Sequence, residues 1–458
     1  MERRRIVLVF LAALALCSLV TKNHVVGWSD RSRFATVDAL TVERSFAIDG
    51  SPFAIHLGDE IHYRGHTYSD KPPLPAILGA GVALLLAPLG VTLRQTPGTA
   101  IYLVTLLTVG VWFGIGCCYA YAFQRRLGFE LHVATAVAAL TGAGTLVLSY
   151  AGVFVNHVPC GAAALAGCYH LYPARDRGAR DVALGGLFFA LAYAFDAAGV
   201  IFAIAAAVLL WRSALRRWVL CAAAGLPIVA SQLGFNLLIS GSIVPTAFNP
   251  VVWGDPSRPL HAASLPVVAI FSPGQYLAIV TNLLVGARGL FSFTPMMVVA
   301  GYGFVRMWRM SEPVRVLALA VLATSTAYFL AIVFLQNDTL ARNFGERRYV
   351  DLFFMLCIAL GPALASIRTA PAVISTRLAI AVSVAIAALG TVAPFGGGPG
   401  QSGFVFAPAE FAALEHRAPL ASAFDILFLI VLIGLVLRIV PLPADGSQAA
   451  AASRKRVA

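Results

Sequence analysis

The stretch His66–Leu93, HTYSDKPPLPAILGAGVALLLAPLGVTL, joins a polar decapeptide to an apolar run, and its reading decides the fold. If Ala76–Leu93 crosses a bilayer, every later loop changes side. The run is entered through Pro72-Pro73, is broken by Pro88, and carries Gly79, Gly81 and Gly90. Proline removes a backbone donor and glycine loosens the backbone, so both weigh against a continuous spanning helix. The segment is therefore expected to lie in the outer interface or to re-enter.

The rest of the chain establishes the bilayer. Of 458 residues, 59% are hydrophobic and 12% charged, where a soluble domain carries about 25% charged residues. Apolar runs near the length of a spanning helix recur from end to end, among them Ile6–Val20, Leu131–Gly152, Val314–Leu335 and Leu378–Val392. They are continuous rather than alternating, which excludes a barrel. The fold class is all-α: a polytopic transmembrane helical bundle with interfacial helices in the first external loop. The seven cysteines all sit inside apolar runs, so they read as packing residues, with no disulfide framework and no zinc spacing. The run after MERRR lacks a clean cleavage site and reads as an uncleaved first helix.

The net charge of +12 is assigned to cytoplasmic loops rather than to nucleic acid. Basic loops at Arg3–Arg5, Arg125–Arg126, Arg175–Arg180, Arg212–Arg217, Arg306–Arg315, Arg368–Arg377 and Arg454–Arg456 all fall inside if 76–93 does not cross. Crossings are then expected near 6–22, 100–123, 131–152, 158–173, 182–195, 197–211, 218–240, 294–308, 315–336, 350–366, 378–394 and 424–441, about twelve with both termini inside. Residues 1–441 form one domain and 442–458 a cytoplasmic basic tail. The outer side receives loops 21–99, 241–293, 337–349 and 395–423, and the turn 154–157.

Cations left outside run against the topological trend and are the informative ones: Arg31, Arg33, Arg44, Arg64, Lys71, Arg288, Arg342, Arg347 and Arg348. Snorkelling to headgroups would explain any one of them. As a set at helix mouths they suit an anion such as phosphate. In WSDRSRFATVDALTV, Phe34, Val37, Leu40 and Thr41 share a stripe at helical spacing, which predicts an amphipathic helix along the membrane surface. Asp30 opens it, as an N-cap, a general base, or both. Alternation around Arg64-Gly65 predicts a small hairpin delivering Tyr68 and Lys71. His56, His62, His66, Asp59 and Glu60 match no zinc pattern, so no metal is expected.

At these residues the sequence resembles the GT-C superfamily of polytopic glycosyltransferases, in particular the bacterial branch related to protein O-mannosyltransferases and the lipid A aminoarabinose transferase. DRSRFA, Asp30–Ala35, is similar to that branch's Asp-Glu-x-Arg-Tyr-Ala motif; Tyr68, Lys71, Pro72, Pro73 and Leu74 match its Tyr-x-x-Lys-Pro-Pro-Leu. The likeness is strongest over residues 1–175 and continues in the pieces GSIVPTAF, ARGLFSFTP and GERRY. It implies a glycosyltransferase in the inner membrane, active on the periplasmic face. A polyprenyl-phosphate-linked sugar would be the donor, and a protein, glycan or lipid the acceptor. It makes Asp30 the catalytic carboxylate and gives the donor phosphate to Lys71 and Tyr68, joined by Arg33, Arg288, Arg347 and Arg348. Arg31 stands where the family has glutamate, and Asn156-His157 where an acidic turn is usual. Both departures weaken the case for a divalent metal, and they leave His157 as a second catalytic group. Two alternatives stay open: a transporter or flippase of a lipid-linked anion, disfavoured because the expected spans are nearly free of ionisable residues, and a degenerate member that binds lipid without catalysis.

Overall fold

The computed structural model describes residues 2–55, 57–246, 272–335, 343–395, 419–440 and 442. Arg342, most of the loop 395–423 and the basic tail lie outside them.

Helices dominate: α1 Glu2–Val20, α2 Trp28–Val42, α3 Pro73–Leu86, α4 Pro97–Thr105, α5 Val111–Arg126, α6 Leu131–Ala143, α7 Leu146–Ala151, α8 His157–Leu171, α9 Ala179–Phe195, α10 Ala203–Leu210, α11 Leu215–Ser240, α12 Pro273–Val285, α13 Leu290–Phe293, α14 Met297–Trp308, α15 Glu312–Leu335, α16 Val350–Leu356, α17 Leu360–Leu364, α18 Ala370–Gly390 and α19 Pro419–Ile439. A π-helical turn, Leu106–Gly110, joins α4 to α5 into one run, and the 3₁₀ turn Ala197–Phe202 leads into α10. The only strands among the described residues are β1 Glu60–Tyr63 and β2 His66–Ser69, antiparallel with Tyr63 opposite His66. Arg64 and Gly65 both take positive φ (51° and 80°), the pair of left-handed residues that closes a two-residue hairpin. The expected hairpin is therefore present.

Each expected crossing coincides with a helix or a jointed pair. Five helical runs are long and apolar enough to span on their own: Pro97–Arg126, Leu215–Ser240, Pro273–Phe293, Glu312–Phe334 and Ala370–Gly390. Two boundaries differ from expectation. α18 starts at Ala370, because Pro371 suits a first turn, so Arg377 lies inside the helix and donates to the Leu442 carbonyl at 3.1 Å. α12 and α13 together make Pro273–Phe293 a long apolar helical run where the outer loop 241–293 was expected. Both its ends touch groups beside the mouths of α15 and α16: the Tyr276 ring lies 5.2 Å from that of Phe334, and the Phe293 ring 5.0 Å from that of Phe344, while between them Tyr349 donates to the Leu283 carbonyl at 2.8 Å.

Side-chain ties sort the helix ends into two poles. At one, Arg126 donates to Tyr169, Arg217 to the Arg175 carbonyl (2.8 Å), Arg306 to Ser366 (3.0 Å), and Arg212 pairs with Glu312 (3.1 Å). At the other, Tyr150 donates to the carbonyls of Phe344 (3.0 Å) and Pro394 (3.1 Å). The basic loops around Arg126, Arg175, Arg212–Arg217 and Arg306–Glu312 thus share one pole.

α3 stays at the second pole. At its entry the Thr246 hydroxyl donates to the Asp70 carbonyl at 2.7 Å; past its exit Arg94 grips Asp38 of α2 through two nitrogens at 3.0 and 2.9 Å. Its 14 residues rise about 21 Å, short of the ~30 Å hydrocarbon core. α2 departs from expectation. Ser29–Ala39 are almost all buried, because α3 covers one face and the hairpin another, so the helix is enclosed by protein rather than laid on the membrane.

Two outcomes are expected. Over the background of native cysteines, Asn23→Cys and Gln95→Cys are labelled by an impermeant thiol reagent from the same side, and Gly178→Cys from the other. A Cβ on Gly186 of α9 would collide with the Cys221 backbone carbonyl of α11, so Gly186→Ala lowers stability by ~1–3 kcal/mol in detergent melts, whereas Gly81→Ala, with open space around it, does not.

Candidate active site

α2 sets the first side chains. Gly27 is extended (φ −162°) and stands before the first turn; the Asp30 carboxylate reaches back to accept the backbone N–H groups of Gly27 and Val26, both at 2.8 Å. Asp30 is thus a capping group at the third helical position, near the N-terminal positive end of the dipole. Burial nevertheless raises its pKa to about 6, since the two backbone donors and Arg33 offset only part of the desolvation.

One turn on, Arg33 is fully buried. Its Nη1 donates to the Ser29 carbonyl (2.6 Å) and hydroxyl (2.8 Å), and its Nη2 to Asn156. From there a polar chain runs inward. The Asn156 amide donates to Asp196, which sits in the turn between α9 and α10 with its other oxygen on the Ala198 N–H. His157 Nδ1 lies 3.1 Å from Asp351 and 3.4 Å from Asp196, and the Tyr328 hydroxyl donates to the same Asp351 oxygen. Close packing makes this meeting possible: a Cβ on Gly161, one turn into α8, would stand 2.9 Å from the carbonyls of Val350 and Asp351. His157 Nε2 has no hydrogen-bond partner among the described residues.

The hairpin supplies the second half. Lys71 pairs with Asp70 (2.8 Å) and Asp59 (3.0 Å), so the lysine expected to face a phosphate alone is shared by two carboxylates. The two respond differently. Burial pushes the Asp70 carboxyl up, with Asp59 adding to the rise; at Asp59 burial is outweighed by Lys71 and Arg347, and the carboxyl is held down. Beside them opens a narrow cleft with a cavity volume of only about 10 Å³, lined at its polar end by Arg33, Tyr68 and Lys71 and along its apolar wall by Phe46, Pro72 and Phe235.

Arg347 and Arg348 occupy a 3₁₀ turn at the mouth of α16. Arg348 is paired with Glu346 (3.3 Å). Arg347 acts on Arg33 and Asp59, lowering the pKa of both; burial first, then Arg347, brings Arg33 down to about 10, still a cation at neutral pH. The Nε atoms of Arg33 and Arg347 and the Asp351 Oδ1 are buried without a partner, a costly state in a folded chain.

Among the expected residues, Arg33, Tyr68 and Lys71 share one cleft, and Arg33 leads through Asn156 to His157. Asp30 is held by backbone, and Arg288 lies in the turn between α12 and α13. Asp70, Asp351 and Tyr328 were not foreseen. Asp351 lies inside the expected span 350–366, correcting the reading of those spans as nearly free of ionisable groups; an acid within an apolar run was the available signal. Tyr328, inside a continuous apolar helix, gave none. His157, Asp196 and Asp351 bring one ligand atom each within 4.8 Å of the others, a donor set that could hold a divalent cation. As arranged, Asn156 and Tyr328 already donate to the facing oxygens, so the groups form a hydrogen-bonded chain.

Asp30 carries a pH signature. Its folded pKa exceeds the unfolded value, so the folded state prefers the protonated acid; stability is fullest below about pH 4 and declines as pH rises through about 6. Measured against Asp30→Asn across that window, wild-type melts lose on the order of 3 kcal/mol.

No family model matches the sequence, and no curated protein matches it. Solved structures do. The oligosaccharyltransferase of Archaeoglobus fulgidus, in a complex with Zn and sulfate, aligns at a TM-score of 0.53 and 15% identity over 96% of this chain and 58% of its own. The archaeal oligosaccharyltransferase AglB from Archaeoglobus fulgidus, with an inhibitory peptide and a dolichol-phosphate, gives 0.52 and 15% over 93% and 60%. ArnT from Cupriavidus metallidurans, bound to undecaprenyl phosphate, gives 0.51 and 13% over 94% and 76%. The chain thus spans less than two thirds of the archaeal enzyme's length. At such identities the likeness is one of architecture: the chain shares the fold of these solved structures.

Proposed function

We propose that the protein is a membrane glycosyltransferase that moves a sugar from a polyprenyl-phosphate donor to an acceptor on the non-cytoplasmic face of the inner membrane, with inversion. The cleft carries this reading. It is amphiphilic in the way a lipid phosphate is, with Arg33, Lys71 and Tyr68 at one end and Phe46, Pro72 and Phe235 along the wall. The unfilled Nε–H groups of Arg33 and Arg347 offer what an incoming phosphate oxygen would satisfy. Undecaprenyl phosphate and dolichol-phosphate in the two structural neighbours are ligands of the same chemistry.

In the proposed reaction the acceptor hydroxyl or amine attacks the sugar C1 while the bond from C1 to the phosphate oxygen breaks. Charge grows on the departing lipid phosphate, where Arg33, Arg347 and Lys71 stabilise it. The acceptor's proton goes to His157 Nε2. Asp351 and Asp196 hold the ring through Nδ1, the arrangement that keeps the other nitrogen a proton acceptor. Asp30, each of whose oxygens accepts one backbone N–H, fixes the start of α2 and so the position of Arg33.

Purified protein supplied with a polyprenyl-phosphate sugar separates the two roles. His157→Gln loses about 10²–10⁴-fold in kcat at intact folding. Asp30→Asn retains activity while Asp30→Ala melts earlier. Wild-type-like turnover by His157→Gln, or a dead but stable Asp30→Asn, returns the proton to Asp30.

A further inference from the structure

At the pole opposite the cleft, the chain has a second cavity that the proposed reaction does not use. It is a groove of about 630 Å³ where the turn after α8 meets the ends of α10, α14 and α15, a volume in the range of small-ligand sites. Its rim is basic: Arg175, Arg212 and Arg315 against Asp176 and Glu312. The charges are unequally engaged. Arg212 is taken by Glu312 at 3.1 Å. Arg175 and Arg315 are exposed, and neither side chain has an acidic partner among the described residues. Below the rim the walls turn apolar, through Leu209 on α10 and Leu319 on α15.

Trp211 (76% exposed) and Trp308 (54%) also line the groove. Exposed indoles of this kind are characteristic of the headgroup depth of a bilayer, where an apolar ring meets a polar boundary. A cavity with unspent guanidinium groups above, indoles at the boundary and aliphatic side chains below matches one molecule end to end. We infer that this groove binds one anionic phospholipid of the leaflet opposite the cleft, its phosphodiester on Arg175 and Arg315 and its acyl chains along Leu209 and Leu319. Basic pockets between transmembrane helices suit anionic headgroups for the same electrostatic reason. The chain's own basic segment Arg454–Arg456 is a poor occupant, since it would meet like charge.

Native mass spectrometry of the full-length protein tests the inference, with phosphatidylglycerol and phosphatidylcholine of identical acyl chains as probes. Wild type retains one phosphatidylglycerol in preference to phosphatidylcholine. The double variant Arg175→Ala/Arg315→Ala loses about tenfold in that retention, with phosphatidylcholine adducts unchanged. Arg175→Lys/Arg315→Lys keeps most of it, and Arg180→Ala/Arg216→Ala, outside the groove, keeps all. Leu319→Trp, which fills the apolar wall, loses retention without touching a charge. Melts in phosphatidylcholine show that each variant is folded. Equal retention of the two lipids by wild type overturns the inference. So does an undiminished double alanine variant, full competition by inorganic phosphate, or a gain in phosphatidylglycerol binding when residues 443–458 are removed. None of these readouts involves glycosyl transfer, so they stand apart from the catalytic proposal.

Discussion

Burying a guanidinium without replacing its water is prohibitive, and much of the second pole is organised by how Arg33 avoids that penalty. Its nitrogens reach the Ser29 carbonyl and hydroxyl and the Asn156 amide, tying α2 to the turn before α8. Asn156 then needs an acceptor and finds Asp196; the imidazole of His157 lies between Asp196 and Asp351; Asp351 takes Tyr328. Five separated parts of the chain are locked by one sequence of donors and acceptors. A polar chain of this kind is worth most when complete, because each missing partner leaves a charge or dipole stranded in low dielectric.

The chain is nearly but not wholly satisfied. Arg33 Nε, Arg347 Nε, Asp70 Oδ1 and Asp351 Oδ1 remain without partners, all in or beside the same network. Other buried polar atoms without partners, among them Gln124 Oε1, Ser213 Oγ and Arg217 Nη1, lie elsewhere in the described residues. Around the lysine shared by Asp59 and Asp70, burial pushes the Asp70 carboxyl up, while at Asp59 burial is outweighed by Lys71 and Arg347, which hold that carboxyl down.

Much of the architecture was legible because it follows from local composition. Apolar runs of bilayer length, the even placement of basic loops, and the proline and glycine content of 72–93 each have a direct backbone or solvation consequence. Arg64-Gly65 announced its hairpin for the same reason. Burial was not legible. The stripe on α2 predicted a helix at a surface, yet α3 returns over it, and nothing in residues 28–42 encodes a covering that comes from residues 73–86. The length of 273–293 escaped too, because an apolar helix lying at the bilayer surface and one crossing it share a composition.

The sequence by itself determined that this is a helical membrane protein with basic loops gathered at one pole, and it nominated Arg33, Tyr68, Lys71 and His157 as candidate site residues. Those properties depend on residue type and spacing alone. Only the tertiary structure decided that Lys71 is shared between two acids, that Asp30 spends its oxygens on backbone donors, and that Asp351 and Tyr328 complete the chain begun by Arg33. Hydrogen bonds and ion pairs act over about 3 Å, so their partners are chosen by how helices pack; His157 and Asp351 meet across 194 residues, a separation that no local pattern records.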